Sequence, residues 1–109
     1  MFNHGLTEGQ MDVLRKTLAP YANKIERAGL FGSRATGKAR PNSDIDMVLY
    51  GSVATADIDR LRTLFDESGL SIKVDIQAYH LVTYPPFKEH IDNVMQILFT
   101  HDDLKSGKP

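Results

Sequence analysis

The chain has 109 residues, of which 41% are hydrophobic and 25% are charged, with a formal net charge of −1 and no cysteine. This composition is that of an ordinary folded domain, and the length allows one compact core. The balanced charge argues against a long nucleic acid as partner, and the lack of cysteine excludes disulfides and thiolate metal sites. No stretch approaches the roughly 18 apolar residues of a membrane span, so we expect a cytoplasmic protein.

We expect a single domain over residues 1–109, with a core at about 7–100 and a polar, frayed tail at 101–109. Near the start, Thr7 and Gln10 have the spacing of a capping box, which predicts a helix that Pro20 ends. Residues 25–31 then predict a strand that runs into a turn.

The remaining elements follow in chain order. Residues 34–43 predict a short helical turn and then a loop, and residues 44–50 give the strongest strand signal. An apolar stripe predicts a helix before Gly69, and residues 72–79 alternate strictly, as expected of a half-buried strand. A last helix is predicted over residues 87–99, although the end of this run is also compatible with a strand.

Asp44 and Asp46 are two residues apart on a predicted strand, so both carboxylates should leave the same face. Asp75 lies on the polar face of another strand, and the three carboxylates converge if the two strands are neighbours. Two bare carboxylates about 5 Å apart repel by roughly 3 kcal/mol at an effective dielectric near 20. Such a cluster therefore indicates a bound divalent cation, and oxygen ligands suit Mg²⁺ or Mn²⁺ together with substrate phosphate.

Gly32 and Ser33 supply a complementary feature, because a glycine at a strand-to-helix turn lets backbone amides approach a phosphate. These amides and the metal would hold a nucleoside triphosphate from two sides. The neighbouring Arg34 is either a phosphate contact or a solvated side chain, and we assign it to the nucleotide.

Gly32-Ser33, ten residues and then Asp44-Ile45-Asp46 resemble the signature of the DNA polymerase β-like nucleotidyltransferase superfamily. Most of residues 10–100 is similar to its minimal nucleotidyltransferase branch, in which the catalytic palm stands alone. The resemblance implies an α/β (α+β) palm, with a small mixed sheet that carries the acids on one face and helices on the other. It also implies that Gly32 and Ser33 contact the triphosphate, that Asp44 and Asp46 bind metal, and that Asp75 is the third acid.

The resemblance further implies a partner. Members of this branch are often encoded beside a small helical HEPN protein as the antitoxin of a toxin–antitoxin pair, and some transfer AMP from ATP to a tyrosine of that toxin. We therefore expect a metal-dependent nucleotidyltransferase that modifies a partner protein and forms a hetero-oligomer with it.

Two other functions remain open from the sequence. The palm could be a non-catalytic module that neutralises its partner by covering it, or it could transfer a nucleotide to an RNA 3′ end or a small molecule.

The chain also contains a second pair of aspartates, Asp57 and Asp59, in a predicted helix. Residues two apart on a helix point to different sides, so this pair is not expected to form a metal site.

Overall fold

The computed structural model of the chain describes residues 3–106. Four strands form one sheet, and helices lie on both of its faces, which confirms the predicted α/β (α+β) class. The helices are α1 (Glu8–Leu18), α2 (Thr55–Asp66), α3 (Pro85–Val94) and α4 (His101–Ser106), and the strands are β1 (Ile25–Leu30), β2 (Ile45–Gly51), β3 (Val74–Ala78) and β4 (Gln96–Thr100). Short 3-10 helices follow α1 and β3, at Ala19–Lys24 and Tyr79–Leu81.

The capping box predicted at the start of α1 is present. The Thr7 hydroxyl accepts a hydrogen bond from the Gln10 amide at 3.1 Å, and the Gln10 side chain accepts one from the Thr7 amide at 2.9 Å. Both contacts satisfy amides that have no partner within the helix. The helix ends at Leu18, two residues before Pro20, as expected.

The sheet has the strand order β3-β2-β1-β4. Strand β1 is antiparallel to both of its neighbours, whereas β2 and β3 run parallel. Parallel strands need a crossover connection, and α2 provides it. The parallel register places Asp46 directly opposite Asp75, so the two strands that carry the predicted acids are neighbours.

Alternation along β2 divides its side chains between two apolar clusters. Met47 and Leu49 face the main core, which lies between the sheet and helices α1, α2 and α4. Val48 and Tyr50 belong to a second, smaller cluster on the opposite face. Because side chains two apart share a face, Asp46 lies on the same face as Val48 and Tyr50, which we call the acid-bearing face.

Helix α3 packs on the acid-bearing face. Its residue Ile91 is buried in the cluster with Val48 and Tyr50, and its Phe87 ring meets Phe31 edge-on with 5.6 Å between the ring centroids. The expectation that the helices pack only on the face away from the acids is therefore wrong for α3. The reason is that apolar side chains on this helix and on the sheet bury one another there.

The end of the chain also differs from the sequence prediction. The run after α3 forms strand β4, which resolves the open choice between helix and strand. The expected frayed tail is wrong for residues 101–106, which form α4 with Leu104 only 1% exposed. Thr100 and Asp103 start this helix by a reciprocal pair of side-chain to amide hydrogen bonds, of 2.9 and 3.2 Å. The predicted tail at 107–109 lies outside the described residues. Within the described part of the chain, no helix is long and apolar enough to cross a membrane.

Candidate functional site

The three predicted acids lie at the beginnings of the two parallel strands. Asp46 is the second residue of β2 and its register partner Asp75 is the second residue of β3. Asp44 comes immediately before β2 and is exposed, whereas Asp46 and Asp75 are half-buried. The topology therefore brings together the residues that the sequence pattern singled out.

Asp46 is the electrostatic centre of this group. Burial raises the pKa of its carboxyl above the ordinary value, and the negative charges of Asp75 and Asp44 raise it further. The nearby Lys73 acts in the opposite direction on this pKa. No hydrogen bond or salt bridge to the Asp46 side chain is found among residues 3–106, so its negative charge is only partly compensated by the protein.

Gly32 lies against the Asp46 carboxylate. A Cβ atom added at Gly32 would lie 2.8 Å from Cγ of Asp46, which is closer than real Cβ contacts, so only glycine fits without a shift. The Gly32 carbonyl accepts hydrogen bonds from the amides of Ala35 and Thr36, at 2.9 and 3.3 Å, and starts the predicted helical turn. The turn that begins at Gly32 and the acid group are therefore in direct contact.

This turn leaves donors for a ligand. Within residues 3–106, the amides of Ser33 and Arg34 have no hydrogen-bond acceptor, as is usual for the first amides of a helical turn. Unpaired amides next to a glycine are suited to donate hydrogen bonds to phosphate oxygens. The site thus offers amide donors on one side and carboxylates on the other.

The Arg34 side chain has a different role from the expected phosphate contact. It is 1% exposed, and its guanidinium donates to backbone carbonyls, including those of Ser43 and His4 at 2.9 Å each. The assignment of its side chain to the nucleotide is therefore wrong in this arrangement, because both terminal nitrogens already donate to carbonyls inside the protein and the buried Nε is out of reach of a ligand.

The acids fit a divalent cation that shares its coordination with a ligand. Within the described part of the chain, no three carboxylate or imidazole groups are arranged to hold one ion by themselves, so the expected convergence around a common metal is not present. Mg²⁺ is usually held by one or two carboxylates, with water and substrate phosphate in its other positions. The poorly compensated charge of Asp46 beside Asp44 and Asp75 matches that kind of site.

The two members of the second aspartate pair differ in their surroundings. Asp57 accepts hydrogen bonds from the Ala54 amide and from Lys24, both at 3.0 Å, and thereby supports the start of α2. The side chain of Asp59 is 67% exposed. Asp57 thus has a structural role at the start of α2, and the exposed Asp59 offers a control position for the acid group.

The sequence analysis did not single out Lys73 as a site residue. Its charge lowers the pKa of Asp46 and so acts on the acid group. It is two residues before Asp75 in an alternating segment, and this spacing could have indicated that both side chains share a face.

Comparison with known proteins places the chain in a family. The sequence model for polymerase beta, nucleotidyltransferase, matches residues 13–104. A search of the curated proteins gave no significant match. Among solved structures, a toxin–antitoxin with AMP-PNP is similar at a TM-score of 0.67 and 20% sequence identity, covering 88% of this chain and 81% of that chain.

Two mutant structures of the toxin–antitoxin MntA–HpeT are also similar. One has a TM-score of 0.67 and 19% identity over 93% of this chain and 82% of that chain. The other has a TM-score of 0.66 and 20% identity over 92% of this chain and 80% of that chain. These likenesses support the fold, and the match to the family model covers most of the chain. The resemblance carried by the Gly-Ser and Asp-Ile-Asp signature is thus confirmed at the level of the superfamily, and the chain belongs to the polymerase β-like nucleotidyltransferases.

Proposed function

We propose that this domain transfers a nucleoside monophosphate, AMP from ATP, to a hydroxyl group of a partner protein, and that it acts as the antitoxin of a HEPN toxin. The contact between Gly32 and the Asp46 carboxylate carries the proposal, because it sets phosphate-binding amides beside metal-binding oxygens. The similar solved structures support a nucleotide and a protein partner, since one is a toxin–antitoxin with AMP-PNP.

Each residue of the site has a defined task in this proposal. The amides of Ser33 and Arg34 donate to the triphosphate, and Gly32 keeps the space for its oxygens open. Asp44 and Asp46 hold the divalent cation, and Asp75 faces the acceptor. When bound, Mg²⁺ neutralises phosphate charge and lowers the pKa of the attacking hydroxyl.

The reaction balances as an in-line displacement. The acceptor oxygen forms a bond to the α-phosphorus, and the bond from that phosphorus to the bridging oxygen breaks. Pyrophosphate leaves with the electron pair, and the hydroxyl proton passes to a carboxylate of the site or to water. The protein contributes position and charge and forms no covalent intermediate.

The test uses radioactive ATP, Mg²⁺ and a lysate from the source cells. Label from the α-phosphate should appear on a protein, and label from the γ-phosphate should not. Asp44→Asn and Asp46→Asn should each abolish this labelling, whereas Asp59→Asn should leave it unchanged. Equal labelling by all of these variants would overturn the proposal, and label on RNA or on a small molecule would replace the protein acceptor with that substrate.

A non-catalytic partner-binding module makes a different prediction. If the domain neutralises its partner by contact alone, the variants without Asp44 or Asp46 will protect cells as well as the natural protein does. Cell growth with the co-expressed partner measures this directly.

A further inference from the structure

The segment that connects the turn amides to the acids has little support of its own. We call residues 36–43 the connecting loop. None of its side chains belongs to either apolar cluster, and most of them are exposed. Its internal contacts are few, the main ones being the Ser43 amide to the Arg40 carbonyl at 3.0 Å and the Arg40 amide to the Ser43 hydroxyl at 2.8 Å. Apolar packing therefore does not hold the connecting loop itself, although the loop leads into the buried Ile45 at the start of β2.

A buried guanidinium takes the place of that packing. Arg34 Nη2 lies within hydrogen-bond distance of three carbonyls of the connecting loop, those of Arg40 at 3.4 Å, Pro41 at 3.2 Å and Ser43 at 2.9 Å. The last of these carbonyls belongs to the residue directly before Asp44. One side chain thus links the phosphate-binding turn, to which Arg34 itself belongs, to the segment that delivers a metal-binding acid.

The N-terminal segment covers the Nη1 side of the guanidinium. Arg34 Nη1 donates to the His4 carbonyl at 2.9 Å. Gly5 follows with a φ of 72°, and a Cβ atom added there would lie 3.2 Å from Nη1. This contact lets the chain turn tightly over the arginine and keeps it 1% exposed.

The partners of Arg34 are neutral carbonyls, with no salt bridge to it within the described residues. Burying a charge without a counterion costs free energy, and the carbonyl dipoles offset part of this cost. Burial also lowers the pKa of the guanidinium. A planar fork can serve several carbonyls in fixed directions, which the single ammonium of lysine cannot do. The arrangement is therefore specific for arginine.

We propose that Arg34 is a positioning residue that fixes the connecting loop, so that Asp44 and the turn amides face the same ligand. This inference rests on the proposed function for its catalytic consequence, while the loop contacts stand independently of it. All of the hydrogen bonds of the guanidinium go to the loop and to the N-terminal segment, and none goes to a strand or to one of the four helices. Loss of Arg34 should therefore loosen the loop before it unfolds the domain.

The first test measures the loop directly. In Arg34→Lys, trypsin should cut after the exposed Lys38 at least several times faster than in the natural protein, and the amide of Ser43 should exchange its hydrogen faster. Arg15→Lys is the matched control, because Arg15 is also buried but pairs with Asp12 on α1. A loop that stays equally protected in Arg34→Lys overturns the proposal, as does a control that loosens it to the same extent.

The second test measures nucleotide transfer with the same proteins. Residues that orient metal ligands typically change metal affinity or activity by about 10- to 100-fold when replaced. We expect Arg34→Lys to lower kcat/KM by that factor, mainly through a higher KM for ATP and Mg²⁺, while Arg15→Lys keeps the natural value. Free guanidinium, well below denaturing concentrations, should partly restore Arg34→Ala.

The two proposals fail in different ways. If the natural protein transfers no nucleotide to any acceptor, the proposed function fails, and the proteolysis and exchange measurements still decide the role of Arg34. If transfer is observed and Arg34→Lys retains the natural kcat/KM with a loosened loop, the positioning role is wrong although the function stands.

Discussion

Replacing Asp46 by asparagine should make the ligand-free protein more stable while it abolishes nucleotide transfer. The Asp46 carboxylate is half-buried, faces Asp75 across neighbouring strands, and has no ion-pair partner among the described residues. Asparagine has nearly the same shape, so it should keep the close contact with Gly32 and remove only the charge.

The size of the effect follows from the strand geometry. Neighbouring strands lie about 4.8 Å apart, and two carboxylates at that distance repel by roughly 3 kcal/mol at an effective dielectric near 20. Both side chains are partly exposed, so solvent screening should reduce the gain to about 1–2 kcal/mol. For a domain of this size, such a gain corresponds to a rise in Tm of roughly 5–10 °C.

The sign of the pH dependence follows from the raised pKa of Asp46. The folded protein holds this proton more tightly than the unfolded chain does, where the carboxyl has its ordinary pKa near 3.8. Stability of the natural protein should therefore fall as the pH rises through the raised pKa. The advantage of Asp46→Asn should be largest above that pKa and disappear below the ordinary one.

Thermal unfolding of both proteins at low salt, across this pH range, measures the difference. Mg²⁺ with a non-hydrolysable ATP analogue should then raise the Tm of the natural protein and leave Asp46→Asn nearly unchanged, because a ligand stabilises only the state that binds it. Asp59→Asn, at an exposed position, is the control. Its Tm without ligand should equal that of the natural protein, and Mg²⁺ with the ATP analogue should raise it by the same amount. An Asp46→Asn protein that is less stable than the natural one at about pH 8 would refute the charge-repulsion argument.

Three further substitutions test the site and the fold. Gly32→Ala should abolish transfer and destabilise the domain by about 1–3 kcal/mol, because the added methyl group meets the Asp46 carboxylate, and normal activity of this variant would contradict the close contact. Leu104→Ala should cost about 2–5 kcal/mol in urea unfolding if α4 belongs to the core, whereas a cost below about 1 kcal/mol would mean that the helix is dispensable. Thr7→Ala should cost about 0.5–2 kcal/mol by circular dichroism, and Thr7→Ser should restore most of it; a silent Thr7→Ala would exclude a stabilising cap.

The sequence was most informative where a local pattern and the tertiary structure agree. The capping box at Thr7 and the alternation around Asp75 depend on neighbours in the chain, and both are found as predicted. The spacing of Asp44 and Asp46 predicted a common strand, and Asp44 in fact lies directly before β2; only the pairing of β2 with β3 shows that Asp75 is the neighbour of Asp46. Pairing depends on contacts between distant segments, which a local pattern does not contain.

The wrong predictions also concern contacts between segments that are distant in the sequence. From the sequence, Arg34 is either a phosphate contact or a solvated side chain, whereas its guanidinium is buried and its acceptors include the carbonyl of His4, thirty positions away. The helix at 101–106 was missed because its sequence is polar, and its stability comes from the single apolar side chain of Leu104 docked in the core. The position of α3 depends on which face of the sheet leaves apolar side chains uncovered, and this becomes visible only once the sheet is assembled.

In the proposed reaction, the packing of α3 on the acid-bearing face would limit how an acceptor reaches the acids. Val48 and Tyr50 continue from Asp46 along β2 on that face, and both are covered by the cluster around Ile91. A long, stiff polymer laid along the strand would collide with this helix. In the proposed reaction, a hydroxyl at the tip of a projecting side chain would need room only at the strand beginnings, so the shape of this face would favour narrow acceptors.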